Sequence, residues 1–172
     1  MGLTFTVGVA TDLFFESFAE QVEQELARQF GYSMPGRLEV EAYRSQEVDW
    51  FGWAQLQQMA SAAIGRGSAP NLLSVDAWRG VFLPLDIEPV SVAIDEDAWL
   101  QCASLPGLLG ELEQLGSASL LATDPEGLRA LWEKYCTDDP DADESTEMQT
   151  YAQLMLAAQV AAKRQLPLWV VK

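Results

Sequence analysis

Residues 11–36 read TDLFFESFAEQVEQELARQFGYSMPG, and this stretch decides the fold. Phe14, Phe15, Phe18, Val22, Leu26 and Phe30 recur at steps of three and four, opposed by Glu16, Glu20, Glu23 and Gln24. An apolar stripe opposite an acidic one predicts an amphipathic helix running from about Leu13 to Phe30, with Phe18, Val22 and Leu26 buried. Thr11-Asp12 supplies a cap at its start. Gly31 supplies the left-handed residue that ends helices, and Pro35-Gly36 breaks the chain beyond it. On the N-terminal side, Leu3-Thr4-Phe5-Thr6-Val7 alternates apolar and polar residues, the period of a strand. On the other side, Arg37 to Arg44 alternates again, with Leu38, Val40 and Ala42 directed inward and Glu39, Glu41 and Tyr43 outward. A helix between two such stretches places helix and strand in one folded unit.

The pattern continues outward. A second helix is expected from near Asp49, with Trp50, Trp53, Leu56, Met59 or Ala60, and Ala63 or Ile64 on one face, ended by Gly65 and Gly67. Gly80–Leu85 and Val90–Ile94 read as two strands joined through Asp86-Ile87-Glu88-Pro89, and Pro84 marks the first as an edge or bent strand. Ser104 opens a leucine helix carrying Leu105, Leu108, Leu109, Leu112 and Leu115, closed by Gly116. Asp124-Pro125-Glu126 combines a cap, a first-turn proline and an acid against the helix dipole. The buried stripe of that helix is Leu128, Leu131, Trp132 and Tyr135. A long helix carries Tyr151, Leu154, Met155, Ala158, Ala161 and Ala162, and Pro167–Val171 finishes as a buried strand. Helices and strands intermix without a repeated strand–helix–strand unit. The expected fold is therefore α+β: a single domain over 1–172 with a mostly antiparallel or mixed sheet, packed on one side by several helices.

Bulk properties restrict function. Twenty-six Asp and Glu face ten Lys and Arg in 172 residues, with no histidine, for a formal charge of −16. Apolar residues make up 49%, enough for a real core. A domain of this length buries roughly 70% of the surface its unfolded chain exposes. Only Lys163-Arg164 are adjacent among the basic residues, so no direct nucleic-acid contact is expected, and an anionic membrane surface is disfavoured too. The charge favours solubility and fast encounter with a basic partner. No basic leader and no long apolar run are visible, so no membrane association is expected. Met1-Gly2 with Thr6 fits an N-myristoylation pattern, but an apolar strand starts at once and no basic patch adds a second anchor. Cys102 and Cys136 do not make a disulfide framework, and reducing cytoplasm is the expected compartment.

Chemistry-bearing motifs are few. Without histidine, Ser-His-Asp and Cys-His relays and histidine metal sites are excluded. There is no phosphate loop and no dinucleotide fingerprint, so no cofactor is expected. Carboxylate chemistry survives the filter, with Glu39 and Glu41 as one pair on a strand face. In the acidic segment 138–147, counting from Asp139, acids fill positions 1, 3 and 5 of a calcium loop: Asp139, Asp141 and Asp143. Position 6 is Glu144 instead of glycine and position 12 is Thr150 instead of glutamate, which removes the turn and the closing ligand. The segment reads as a solvated loop, and these three aspartates are carried only as a Ca²⁺ candidate. Six tryptophans are present. Trp50-Phe51-Gly52-Trp53, beside Glu47 and Asp49, is the stretch that resembles an interface anchor, because aromatics concentrate at binding hot spots.

These features lead to an expected function: a non-catalytic protein-binding domain, of inhibitor, immunity or regulatory type, with an acidic face for a basic protein partner. Trp50, Phe51, Trp53, Glu47 and Asp49 are its candidate contacts. The alternative is a carboxylate-based enzyme or small-ligand binder with an aromatic-lined pocket.

Overall fold

The computed structural model describes residues 2–36, 40–136 and 145–172. The acidic segment holding Asp139, Asp141 and Asp143, and the proposed inward Leu38 and acidic Glu39, lie outside the described residues. The strands are β1 (Gly2–Val7), β2 (Tyr43–Arg44), β3 (Val48–Asp49), β4 (Gly80–Leu83), β5 (Val90–Ala93), β6 (Trp99–Ser104) and β7 (Leu168–Val171). The helices are α1 (Glu16–Phe30), α2 (Trp50–Ala63), α3 (Pro70–Leu73), α4 (Leu105–Ser119), α5 (Pro125–Tyr135) and α6 (Thr146–Arg164). The strands form one mixed sheet in the order β2-β1-β7-β4-β6-β5, with β3 also on β1. Among the described residues β4 and β6 are the parallel pair, and the other pairings are antiparallel. The class is α+β with a mixed sheet, as the alternation and stripe patterns predict.

Helices cover both faces of the sheet, where the sequence predicts one. The strand period sorts the residues. Phe82, Leu168 and Val170, together with Leu3, Phe5 and Val7, enter the core beneath α2, α4 and α6. Their strand neighbours Val81, Leu83 and Trp169 enter a second core with Leu100 and Cys102, covered by Ala19, Val22 and Leu26 of α1. A strand buried on both faces reads as a continuous apolar run, and Gly80-Val81-Phe82-Leu83 and Leu168-Trp169-Val170-Val171 are such runs. This explains one error of the sequence reading. Pro84 does not mark an edge strand: it lies just past β4, which sits between β7 and β6. Among the described residues the sheet ends at β5 on one side and at β2 and β3 on the other.

Helix α1 starts three residues later than its stripe suggests. Ala10–Asp12 form a short 3-10 turn, and Asp12 Oδ2 accepts from Val9 N at 2.9 Å instead of capping α1. Val22 and Leu26 are buried, Phe18 is half-buried, and Phe15 is 92% exposed at the N-cap. Gly31 closes the helix at φ 65°, as predicted.

The expected strand from 37 to 44 shrinks to Tyr43–Arg44 among the described residues, and the facing of Val40 and Tyr43 is reversed. Tyr43 pairs with Val7 and packs against the core, while Val40 is 60% exposed. Four chain steps from Arg44 to Val48 oppose three steps from Thr6 to Leu3, so one extra residue bulges from this edge. Ser45 closes the bulge: its Oγ accepts from Phe5 N at 2.9 Å and its N–H donates to Phe5 O. Gln153 Oε1 of α6 holds the next amide, Gln46 N, at 3.0 Å.

The later helices follow their sequence signals. Ser104 Oγ caps α4 by accepting from Gly107 N, and Asp124 caps α5 by accepting from Gly127 N. Gly116 does not end α4, which runs on to Ser119 and closes at Leu120 with φ 56°. Helix α6 is buried beyond its predicted stripe, because it lies under the sheet and against α2, α4 and α5 at once. Among the described residues no helix is long and apolar enough to cross a membrane.

Candidate functional site

Helix α2 begins where the bulged edge ends. Asp49 accepts from Phe51 N at 2.8 Å, so this candidate contact spends one carboxylate oxygen as the helix cap. Glu47, another candidate, is exposed and lies over Gly2, where an added Cβ would collide with its carboxylate. One turn into the helix, Gly52 lets α2 touch the start of α6. A Cβ there would sit 2.7 Å from Thr146 O, a backbone atom that cannot move aside cheaply. This close approach fixes which way the aromatics beside Gly52 point.

They do not share one destiny. Trp53 turns inward, 3% exposed, with its ring tilted on Phe5 at 5.8 Å and Nε1 donating to Val75 O at 2.8 Å. As a freely exposed partner contact it is therefore corrected: a buried indole N–H needs an acceptor, and this one is found in the interior. Trp50 and Phe51 turn outward, 41% and 56% exposed, with ring centroids 3.9 Å apart. The helical period puts Trp50 on one face with Trp53, but the two rings part company. Trp50 is the first helical residue, and at a helix end its ring is free to lie against its neighbour.

A groove opens between α2 and the segment leading into β4. Leu3 and Trp53 line it, with Trp50, Ala54 and Gln57 contributed by α2. Asp76, Ala77, Trp78 and Lys172 line it as well, and its volume is about 300 Å³. The segment before β4 is tied to α2 through one carbonyl: Val75 O accepts from both Trp53 Nε1 and Gln57 Nε2, the latter at 3.0 Å. Gln57 Nε2 also donates to Leu72 O at 2.8 Å. Asp76 is clamped in turn by β6, since its N–H donates to Gln101 Oε1 and its Oδ2 accepts from Gln101 Nε2 at 3.0 Å. Trp78, 56% exposed, thus stands on a braced segment. Its ring carries the Lys172 ammonium at 4.3 Å, and next to it Arg79 lies over Trp99 at 4.4 Å. Trp78 and Lys172 also line a second hollow of about 170 Å³ beside Phe14 and Trp169, so this pair is the wall between the two.

Of the candidate carboxylate pair, Glu39 lies outside the described residues. Glu41 is exposed in an irregular stretch, and its backbone O accepts from Arg164 Nη1. The buried acid is instead Glu111 of α4, 6% exposed. Its Oε1 accepts from Asn71 N at 2.8 Å and Asn71 Nδ2 at 2.7 Å, and its Oε2 accepts from Leu72 N at 2.7 Å. Burial raises its carboxyl above the ordinary value, and the three hydrogen bonds pull back against that. Asn71 Oδ1 passes the network on by accepting from Ser104 N at 2.9 Å. This acid tethers the first turn of α3 to α4, and it does not line the groove. Among the described residues no three acidic or cysteine side chains gather to hold a metal ion.

Trp78, Gln57, Asp76 and Lys172 were not picked out by sequence reasoning. Trp78 follows no apolar stripe, which is the one signal that set it apart from core tryptophans. No protein-family model matches this chain, and no curated protein or solved structure matches it significantly.

Proposed function

We propose that this chain is a non-catalytic protein-binding domain, of inhibitor, immunity or regulatory type, whose partner docks on the Trp50–Phe51 platform and the adjoining Trp78 rim. The observation that carries the reading is the exposed ring pair itself. Two large aromatics stand outside the core at the first turn of α2, held by the Asp49 cap and the Gly52 contact. Rigid, half-exposed aromatics lose little entropy on binding and bury much area, which is how interface hot spots work. The net charge of −16 favours a basic partner and speeds its encounter.

The test uses the full chain, immobilised and exposed to extract of its source cell at low and high salt, beside Phe51→Ala. The reading expects a partner retained by the wild type, released as salt rises, and lost by the variant while its melting temperature is unchanged. Equal retention by both would remove the aromatic platform from the interface.

A further inference from the structure

We infer that the groove beside this platform receives one basic side chain of the partner, a lysine ammonium or an arginine guanidinium, and that Lys172 holds the place until it arrives. The inference rests on the reading that the Trp50–Phe51 surface is the docking face, and it names what the groove next to that face takes.

Three observations converge. First, the groove already holds a cation on an aromatic ring. Lys172 Nζ sits 4.3 Å from the Trp78 centroid, within the range at which the negative face of an indole attracts an ammonium. Second, the groove contains a carboxylate that pairs with no cation among the described residues. Among the described residues Asp76 has no cation within ion-pair distance, Lys172 included, and the ion pair found lies elsewhere, between Arg28 and Glu25. Gln101 fixes Asp76 from both sides, so the charge is positioned before anything binds. Third, the size suits a side chain. At about 300 Å³ the hollow is at the bottom of the range of about 300–1,000 Å³ usual for small-molecule sites, and it opens beside a flat aromatic platform. Trp50, Trp53 and Trp78 supply ring surface, and Asp76 supplies the charge.

Lys172 is exposed and makes no ion pair among the described residues, so its hold on Trp78 is easily exchanged. An incoming lysine or arginine that meets both a ring and the Asp76 carboxylate exchanges one attraction for two. Displacing Lys172 also removes half of the wall between this groove and the hollow beside Phe14 and Trp169, which leaves room for the longer arginine.

The experiment follows the tryptophan indole N–H signals of the ¹⁵N-labelled full chain by NMR. The probes are Nα-acetyl-lysine methylamide, Nα-acetyl-arginine methylamide and the uncharged isostere Nα-acetyl-norleucine methylamide. The basic probes should shift the Trp78 and Trp50 signals saturably, and norleucine should not. Trp78→Leu and Asp76→Asn, both at exposed positions, should each weaken binding by about fivefold or more. Lys172→Ala should tighten it by about threefold or more, because the resident cation is gone. Equal shifts from norleucine would overturn the inference, as would unchanged affinity in Lys172→Ala or no saturable shift by any basic probe. If the basic probes fail while Phe51→Ala still loses the captured partner, the groove inference falls and the docking platform stands. If the probes bind while Phe51→Ala keeps its partner, the platform falls and the groove stands alone as a cation site.

Discussion

Replacing Glu111 by alanine removes one acceptor from each of three donors at once. Two are the backbone N–H groups of Asn71 and Leu72, which are 7% and 0% exposed. The third is Asn71 Nδ2, whose partner oxygen Oδ1 also holds Ser104 N at the start of α4. A buried donor left without a partner costs about 1–3 kcal/mol. Relief of the buried charge and entry of water offset part of the sum, so the net loss should be about 2–5 kcal/mol. With a urea dependence of about 2 kcal/mol per molar, the denaturation midpoint should fall by roughly 1–2.5 M. Glu113→Ala, an exposed acid on the same helix, is the control and should stay within about 0.5 kcal/mol. The pH dependence has a defined sign. Because burial raises the Glu111 carboxyl above 4.5, the folded state holds its proton more tightly than the unfolded state does. Its contribution is therefore fully present below 4.5 and declines as pH rises through the raised folded value. The midpoint gap between wild type and Glu111→Ala should narrow as pH rises through that window. A gap of less than about 0.3 M, or one that widens with pH, would refute the tether.

Phe18→Ala should cost about 1–3 kcal/mol, less than the 3–5 of a fully buried Phe, because the ring is half-buried edge-on to Phe14; Leu26→Ala, fully buried, should cost about 2–5 by urea denaturation. Native protein should release one equivalent in a thiol assay and two after unfolding, since Cys136 is exposed while burial pushes the Cys102 thiol up to about 12. Leu120→Gly should raise the melting temperature, gaining about 0.5–1 kcal/mol, because Leu120 is 94% exposed and held at φ 56°, where a Cβ is a burden; an unchanged or lower value would contradict it.

What the sequence revealed depended on where the deciding interaction lies along the chain. Caps at Ser104 and Asp124 bond to amides three residues on, so local sequence suffices to find them. Strand β6 escaped notice because Trp-Leu-Gln-Cys-Ala-Ser has no β-branched residue and runs straight into the cap of α4. Its strand character comes from pairing with β4 and β5. Helix α3 is a single turn whose start is held by Glu111, forty residues away. The groove shows the same limit. Trp50 and Phe51 announced themselves as an aromatic run beside acids, but Trp78 joins them only because Val75 O is bonded by Trp53 and Gln57. That bond also explains why Trp53 left the surface set. The inward turn of Trp53 also follows its three-residue step to Leu56 on the buried face of α2.

The most direct test of the docking platform is the salt dependence of the association and dissociation rates of the captured partner, measured by stopped flow for wild type and Phe51→Ala. The screening length falls from about 30 Å at 0.01 M salt to about 8 Å at 0.15 M, so a field set by a charge of −16 should lose most of its reach. The account predicts that the association rate falls steeply with salt for both proteins, while Phe51→Ala dissociates at least about tenfold faster at every salt concentration. A salt-independent association rate together with equal dissociation rates would contradict it.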